Sequence, residues 1–270
     1  MNNMENVKMV VTDMDGTLLN SNHEVSSKFF KIFEQLKQQN ILFVAASGRP
    51  YYSITQKLQA IKEHITIVAE NGGLVLQNDK LLLSNALSHQ KLSHLYSLVN
   101  TIDNTHPLFC TRHKAYIKRT SDDLINLFSE YYSNYTIIDS IEEIEDDVIK
   151  IALYHTTNSE ANIYPFVKHL DTEFNVVVSG NHWVDISDTI TNKGHAIEFL
   201  QKHHNIDPSE TMAFGDYNND FEMLKRATHS YAMANAHDAI KAVANYQTKS
   251  NDEFGVEYIL EQLIAKNSKH

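Results

Sequence analysis

Short apolar runs alternate with helix-like spacing in the N-terminal part of this chain. Continuously apolar runs at residues 8–12, 41–45 and 66–69 predict buried strands. Between the first two runs, large apolar residues recur at helical spacing and predict a helix over 26–39. Strands that alternate with helices are typical of a parallel sheet covered by helices. This part of the chain therefore predicts an α/β fold.

The pattern changes between about residues 84 and 187. Apolar runs there come in pairs around turn residues, at 108–111 with 115–118 and at 175–179 with 183–186, as in antiparallel hairpins. The mixture of hairpins and helices indicates a separate α+β unit. Its other predicted elements are helices at 122–132 and 161–170 and a strand at 148–154.

The parallel pattern returns after residue 187. The predicted elements are helices at 193–203 and 221–225 and strands at 212–214 and 231–233. The fold class that follows is α/β, a Rossmann-like parallel-sheet core with an inserted α+β cap. We expect the core to comprise residues 1–83 and 188–270, and the cap to comprise residues 84–187.

Composition narrows the class of protein. Of the 270 residues, 42% are hydrophobic and 21% are charged, which are ordinary values for a globular chain. The net charge of −11 argues against nucleic acid or an anionic membrane as a partner, since both are bound mainly through Lys and Arg. The single Cys110 cannot form an intramolecular disulfide, and no apolar run is long enough to span a membrane. The segment at residues 1–8 is polar and lacks the apolar core of a signal peptide, so we expect a cytoplasmic protein. We also expect a monomer or a weak homodimer.

Two carboxylates, Asp13 and Asp15, directly follow the first predicted strand and precede Gly16. Open α/β sheets bind ligands at the carboxyl ends of their strands, and two neighbouring anions favour Mg²⁺, which prefers carboxylate oxygens. Asp13 suits a nucleophile that attacks a phosphoryl group. Asp15 suits the acid that protonates the leaving group and then activates water. A plain Asp–Gly surface turn is the alternative, whereas Leu18 at the sixth position excludes an EF-hand loop.

Ser47, Gly48 and Arg49 follow the second predicted strand and precede a helix that starts near Pro50. A hydroxyl and backbone N–H groups at a helix start can hold phosphate oxygens, while Arg49 can reach the substrate or an acidic neighbour. Lys193 begins a predicted helix, where the helix dipole disfavours a cation, so a bound phosphoryl group would explain its position. An N-cap serine and a solvated lysine are the alternative interpretations.

Asp216, Asn219 and Asp220 follow another predicted strand and lie around a helix start. Their oxygens can converge on the same cation as Asp13, although helix capping alone also favours acidic residues there. Gly215, directly before them, lets the backbone approach the ion closely. We therefore expect a single Mg²⁺ site shared by the two acidic loops.

Four motifs in order resemble those of the haloacid dehalogenase superfamily, and over essentially the whole chain those of its Cof-type phosphatases. They are Asp13-Met14-Asp15-Gly16-Thr17, Ser47-Gly48-Arg49, Thr191-Asn192-Lys193-Gly194 and Gly215-Asp216-Tyr217-Asn218-Asn219-Asp220. The resemblance implies a Mg²⁺ ion bound by Asp13, the backbone carbonyl of Asp15 and Asp216. Asn219 or Asp220 would support the ion directly or through water. Two departures from the family pattern, at Ala234 and Phe254, concern only the packing near the site.

The function predicted is that of a Mg²⁺-dependent phosphomonoester hydrolase acting through an aspartyl-phosphate. Small phosphorylated metabolites, sugar phosphates first, are the expected substrates, because a large cap excludes water and protein substrates. A phosphomutase and a non-catalytic sensor of phosphorylated ligands are the alternatives. The catalytic residues expected are Asp13, Asp15, Ser47 and Lys193, and the substrate-binding residues expected are Ser47, Gly48, Arg49, Lys193 and Asn219. Further candidates for substrate contact in the cap are His113, Tyr116, Arg119 and Trp183.

Overall fold

The computed structural model describes Met4 and residues 6–267. In chain order, the strands are β1 (Met9–Asp13), β2 (Leu42–Ala46), β3 (Thr66–Ala69), β4 (Leu74–Gln77), β5 (Lys80–Ser84), β6 (Thr105–Thr111), β7 (Ala115–Lys118), β8 (Tyr135–Ile138), β9 (Val148–His155), β10 (Phe174–Gly180), β11 (Trp183–Asp188), β12 (Thr211–Gly215), β13 (His229–Ala232) and β14 (Tyr246–Gln247). The helices are α1 (Ser27–Gln38), α2 (Tyr51–Lys57), α3 (His89–Val99), α4 (Asp122–Tyr131), α5 (Ser159–Asn162), α6 (Tyr164–Val167), α7 (Lys193–His204), α8 (Phe221–Lys225), α9 (Asp238–Val243) and α10 (Gly255–Asn267). Of these helices, none has the length and apolar character needed to cross a membrane.

Two separate stretches of chain, Met1–Leu83 and Asn192–His270, form the first compact unit, here called the core unit. Its eight-stranded sheet has the order β14-β13-β12-β1-β2-β3-β4-β5, and neighbouring strands from β14 to β3 are parallel. β4 runs antiparallel to β3 and, with β5, extends one edge. The Rossmann-like parallel core is therefore confirmed.

Helix α1 shows how the apolar pattern produces this packing. The side chain of Ser26 caps the helix by accepting the N–H of Phe29 at 3.0 Å. The predicted apolar face is buried, and the ring of Phe29 lies 5.1 Å from that of Phe43 on β2. Each large apolar side chain buried in this way stabilises the fold by roughly 1.5–3 kcal/mol.

Three parallel strands bring the predicted motifs to one edge of the core sheet. β1 lies between β2 and β12, with Thr12 opposite Ala45 on one side and Phe214 on the other. The acidic turn after β1, the Ser47 loop after β2 and the Asp216 loop after β12 therefore leave the sheet at the same level. This is the edge at which open α/β sheets bind ligands.

The second compact unit, here called the cap unit, spans Ser84–Thr191. Its six-stranded sheet has the order β10-β11-β9-β6-β7-β8, in which every neighbouring pair is antiparallel except β7 with β8. Successive residues of β6 point to opposite faces, so Phe109 packs in the cluster that contains α3, while Leu108 packs in the cluster that contains α4. Each face of this sheet thus has its own apolar core.

The second boundary between the units differs slightly from the expected one. The core unit resumes after Thr191, whereas the sequence pattern suggests a boundary after residue 187. β11 continues to Asp188, and the N–H of Thr191 donates to the carbonyl of Asp188 at 2.9 Å. This strand end and its turn account for the later boundary.

One predicted helix of the cap is wrong. Instead of a continuous helix over 161–170, the chain forms the short helices α5 and α6, which meet at Ile163. Pro165 lies in the first turn of α6 and has no N–H to donate to the preceding turn, so a continuous helix cannot form there. The sequence pattern also left α3, β8, α9, β14 and α10 unassigned.

Candidate active site

Three carboxylates from two loops converge at the carboxyl end of the core sheet. Asp13 ends β1, while Asp216 and Asp220 lie between β12 and α8; one oxygen of each falls within 4.8 Å of the others. Asp13 and Asp220 are buried, and Asp216 is partly exposed. Oδ2 of Asp13 is buried and has no hydrogen-bond partner among the residues that the structure describes. Because such an orphaned acceptor is costly, it marks a place where a ligand is expected to bind.

The ammonium of Lys193 lies between two of these carboxylates. Its Nζ is 2.5 Å from Oδ1 of Asp13 and 2.6 Å from Oδ1 of Asp220, and 0% of the lysine side chain is exposed. Lys193 is the first residue of α7, whose N-cap residue Asn192 accepts the N–H of His195 at 2.8 Å. The carboxylates of Asp13 and Asp220 are therefore sufficient to explain a cation at this helix start. The sequence did not predict these two ion pairs.

Burial and mutual charge change the pKa values of this cluster. Burial raises the pKa of Asp13 well above its usual value, although the charge of Lys193 opposes the change. Burial, followed by the charge of Asp220, raises the pKa of Asp216 to about 6. Burial disfavours a charged Lys193, but the charges of Asp13 and Asp220 outweigh it and raise the pKa of Lys193. One ammonium therefore faces more acidic groups than it can balance.

The turn after β1 approaches Asp216 closely. Gly16 has φ +77°, and a Cβ added there would overlap Oδ2 of Asp216. Thr17 donates its hydroxyl to Oδ1 of Asp216 at 3.1 Å, while Asn235 donates its amide to the carbonyl of Gly16 at 2.8 Å. Glycine is required at position 16 both for its backbone conformation and for the space that it leaves. Asn235 is a residue of the site to which the sequence analysis gave no role.

The side chain of Asp15 forms a bidentate pair with Arg49. Nε and Nη2 of Arg49 donate to the two oxygens of Asp15 at 2.6 and 2.7 Å, and Nδ1 of His23 lies 3.3 Å from Oδ1. Burial opposes ionisation of Asp15, yet the hydrogen bonds and charge of Arg49 outweigh it and lower the pKa of Asp15. The sequence left open whether Arg49 contacts the substrate or an acidic neighbour. In the structure it contacts an acidic neighbour, Asp15.

Ser47 and Gly48 form the turn after β2. Ser47 is buried, and its Oγ accepts the N–H of Arg49 at 3.1 Å. The N–H of Ser47 donates to the carbonyl of Val68 at 2.9 Å, and its own carbonyl accepts the N–H of Asn71 at 3.0 Å. Hydrogen bonds on both sides therefore fix this loop beside the acidic cluster.

Asp220 and Asn219 make different contacts, although they are adjacent. Oδ2 of Asp220 accepts the N–H groups of Asp216 and of the next residue at 2.9 and 3.2 Å, while Oδ1 binds Lys193. Both oxygens of Asp220 thus have protein donors. Asn219 is exposed, and its Nδ2 donates to Oδ1 of Asn71 at 3.0 Å. Asn71 is a second site residue that the sequence analysis did not identify.

The four candidate contact residues of the cap unit have distinct surroundings. Tyr116 is buried in the apolar core and donates to Asp146 at 2.8 Å, which gives it a packing role. Arg119 forms an exposed ion pair at 2.6 Å, and Trp183 packs against other aromatic rings. His113 lies in the turn between β6 and β7.

The acidic cluster fits a Mg²⁺ ion. Its ligand atoms are all carboxylate oxygens, the type that Mg²⁺ prefers. Among the described residues, Oδ2 of Asp13 has no hydrogen-bond donor, and burial, followed by the charge of Asp220, raises the pKa of Asp216. A divalent cation beside the carboxylates of Asp13 and Asp216 would offset the repulsion between them.

Comparison with known proteins agrees with this geometry. The family model of haloacid dehalogenase-like hydrolases matches residues 10–260. The 5-amino-6-(5-phospho-D-ribitylamino)uracil phosphatase YbjI of Escherichia coli is 32% identical over 265 residues, 96% of this chain and 96% of that protein. YitU of Bacillus subtilis, which carries the same activity name, is 25% identical over 266 residues, 95% of this chain and 97% of that protein.

Solved structures give the same result. The crystal structure of SMU.1108c from Streptococcus mutans UA159 has a TM-score of 0.85 and 32% identity, and the match covers 96% of this chain and 99% of that chain. The likeness thus extends over both units in sequence and in fold. The chain belongs to the haloacid dehalogenase-like hydrolase family and is a phosphatase of the Cof type.

Proposed function

We propose that this phosphatase hydrolyses phosphomonoesters of small metabolites through a covalent phosphate on Asp13, with Mg²⁺ as its cofactor. The observation that carries the proposal is the state of the Asp13 carboxylate. One oxygen is held by Lys193 at 2.5 Å, and the other is buried without a partner in the described part of the chain. A carboxylate fixed by one oxygen and open at the other is suited to attack an electrophile that enters the site.

Asp13 attacks phosphorus while the bond from phosphorus to the leaving oxygen breaks, and that oxygen takes up a proton. Asp15 is the acid, although its pair with Arg49 keeps it ionised in this structure. A phosphate dianion competes for the same guanidinium, so Asp15 is released, takes up a proton from solvent and gives that proton to the leaving oxygen. After the alcohol leaves, ionised Asp15 accepts a proton from the water that hydrolyses the aspartyl-phosphate.

The phosphoryl oxygens need positive charge and hydrogen-bond donors. Lys193 supplies an ammonium beside the nucleophile, and the loop after β2 supplies the hydroxyl of Ser47 and the N–H of Gly48. Asp13, the backbone carbonyl of Asp15 and Asp216 would hold Mg²⁺, with Asn219 or Asp220 in support. When bound, the ion supplies positive charge that stabilises the phosphoryl oxygens.

The substrate class proposed is that of small phosphorylated metabolites, including sugar phosphates and phosphorylated polyols. YbjI and YitU are named for a phosphorylated ribityl chain attached to a uracil ring, which is a compound of this class. We therefore expect free phosphomonoesters rather than phosphoproteins to be hydrolysed.

The test is the release of inorganic phosphate from a panel of sugar phosphates and 5-amino-6-(5-phospho-D-ribitylamino)uracil, with Mg²⁺ and with EDTA. We expect Asp13→Asn to lower turnover by roughly three orders of magnitude or more, because the nucleophile is lost. Asp15→Ala is expected to abolish turnover while substrate binding survives. Glu34→Gln, an exposed carboxylate-to-amide change on α1, is the matched control and should behave like the parent.

Other results would contradict the proposal. Full activity of Asp13→Asn would exclude this nucleophile. Transfer of phosphate between positions of one sugar, without free phosphate, would indicate a phosphomutase. Tight binding without turnover by the parent protein would indicate a sensor of phosphorylated ligands.

A further inference from the structure

The segment Glu70–Gly72 after β3, here called the β3 turn, has an unusual backbone. Glu70, Asn71 and Gly72 have φ of +51°, +52° and +98°, three consecutive residues in the left-handed region. Residues other than glycine enter this region at a cost, and they keep such a conformation only when the surroundings require it. None of the four sequence motifs includes this turn.

The β3 turn is hydrogen-bonded to the Ser47 loop. The N–H of Asn71 donates to the carbonyl of Ser47 at 3.0 Å, and the N–H of Glu70 donates to the carbonyl of Arg49 at 3.1 Å. A Cβ at Gly48 would lie 3.1 Å from the side-chain amide of Asn71. The left-handed backbone thus directs two consecutive N–H groups at the loop expected to hold phosphate.

The same turn touches the two other loops of the site. Oδ1 of Asn71 accepts the side-chain amide of Asn219 at 3.0 Å. A Cβ at Gly72 would overlap the carbonyl of Asn192, the residue before Lys193. One short turn therefore packs against the segments that carry Ser47, Lys193 and Asn219.

We propose that Asn71 is a positioning residue of the active site, which orients Asn219 toward the cation site and keeps the Ser47 loop in place. The inference rests on the proposed function, since it assigns Asn219 to the support of Mg²⁺. Asn219 uses its NH₂ group on Asn71, so its carbonyl oxygen is the end directed elsewhere, and oxygen is the ligand that Mg²⁺ prefers. Without this contact, the exposed Asn219 side chain would be free to change rotamer.

The residue type at position 71 suits both parts of this role. Asparagine is one of the few residues other than glycine that enter the left-handed region routinely, and its amide oxygen accepts the Asn219 donor. Glycine would keep the backbone conformation but lose the acceptor. Aspartate would keep both the conformation and an acceptor oxygen. The two substitutions therefore separate the side-chain role from the backbone role.

The experiment compares Asn71→Gly, Asn71→Asp and the control Asn78→Gly. Asn78 also has a positive φ, of +51°, but it lies in the turn after β4, at the opposite end of the sheet from the site. Mg²⁺ binding is measured without substrate, as the rise in melting temperature over a Mg²⁺ titration. kcat and KM are then measured with p-nitrophenyl phosphate as the probe.

We expect Asn71→Gly to raise the Mg²⁺ concentration needed for half-saturation by about 10–100-fold and to lower kcat by a similar factor. Losses of this size are usual when a residue that supports a metal ligand is removed. Asn71→Asp should bind Mg²⁺ at least as well as the parent, and Asn78→Gly should match the parent in every measurement. In an Asn219→Ala background, Asn71→Gly should weaken Mg²⁺ binding little further, because the two residues act through one contact.

The inference is overturned if Asn71→Gly binds Mg²⁺ like the parent, if Asn71→Asp is as weak as Asn71→Gly, or if the effects of Asn71→Gly and Asn219→Ala simply add. Melting without Mg²⁺ shows whether each variant is folded, and Asn71→Asp carries the test if Asn71→Gly is not. A parent that binds Mg²⁺ but hydrolyses no phosphomonoester contradicts the proposed function instead, and the binding comparison on Asn71 still decides this inference.

Discussion

A buried lysine at the first position of a helix needs negative partners, because the helix start disfavours a cation. Lys193 has two, Asp13 and Asp220, and a third carboxylate, Asp216, lies within reach of the same cluster. Buried charges are tolerated when they are paired, so the lysine and its two partners stabilise one another. Burial, followed by the charge of Asp220, raises the pKa of Asp216 to about 6.

Asp216 should therefore destabilise the metal-free protein at neutral pH. Its pKa is raised above that of the unfolded chain, about 3.9, so the folded state holds the proton more tightly. Protonated Asp216 therefore stabilises the folded state. This contribution is complete below about pH 4 and is lost as the pH rises through about 6. In EDTA at pH 7.5, we expect Asp216→Asn to raise the free energy of unfolding by about 1 kcal/mol or more.

Urea denaturation at pH 5 and pH 7.5 checks this prediction. The parent should lose more stability than Asp216→Asn between the two values, since the carboxylate ionises only in the parent. Added Mg²⁺ should stabilise the parent but not the variant, because the variant lacks a cation ligand. Identical pH profiles for the two proteins would show that Asp216 is not strained by its neighbours.

The residue types of the site could be predicted from the sequence, but several of their contacts could not. The sequence placed Asp13, Asp216 and Lys193 near one another because each follows a strand or begins a helix at the same edge of the sheet. It did not show that Lys193 binds two carboxylates or that Arg49 binds Asp15. Pairing between side chains far apart in sequence depends on loop conformations that spacing does not reveal. Asn71 was missed for the same reason.

At the scale of elements, the pattern of the N-terminal part of the core was reliable, whereas two helical segments, over 161–170 and at α10, were not predicted correctly. Strands β1, β2 and β3 and helix α1 agree with the predictions to within one or two residues. The helix predicted over 161–170 is broken because Pro165 has no N–H to donate to the preceding turn, although the apolar spacing continues through it. Helix α10 was left unassigned, although its buried residues recur at helical spacing: Val256, Ile259, Leu260, Leu263 and Ile264.

Phe254, the residue before α10, is in a strained conformation. Its φ is +58°, a region that bulky side chains rarely enter, and 43% of the residue is exposed. Asparagine adopts this conformation more readily, and little apolar burial is lost with the ring. We expect Phe254→Asn to raise the free energy of unfolding by about 0.5–1 kcal/mol.

Equilibrium unfolding in urea measures this change. Phe254→Ala is the matched control, because it removes the ring but keeps the strain of a non-glycine residue at positive φ. A gain in Phe254→Ala equal to that in Phe254→Asn would assign the effect to the ring rather than to the backbone. No gain in Phe254→Asn would show that ring contacts outweigh the strain.

At the scale of the whole molecule, the sequence indicated a discontinuous core and an inserted unit because its periodicity changes twice. The chain leaves the core sheet after β5 and returns to it at α7, so that motifs about 180 residues apart, Asp13 and Lys193, meet in one compact unit. The position of the second boundary could not be read from periodicity alone. It depends on how far β11 extends, and strand ends are the least certain part of such patterns.

Hydrogen exchange with and without Mg²⁺, in the absence of substrate, tests whether the core unit rather than the cap unit binds the cation. The three carboxylates of the cluster all belong to the core unit, at the end of β1 and in the loop before α8. A ligand that binds only the native site suppresses the local openings that would break that site. We expect Mg²⁺ to slow exchange in β1, β12 and their following turns, and to leave β6, β9 and β11 of the cap unit unchanged. Slower exchange confined to the cap unit would mean that the cation binds there. It would contradict the proposal that the acidic cluster of the core unit binds Mg²⁺.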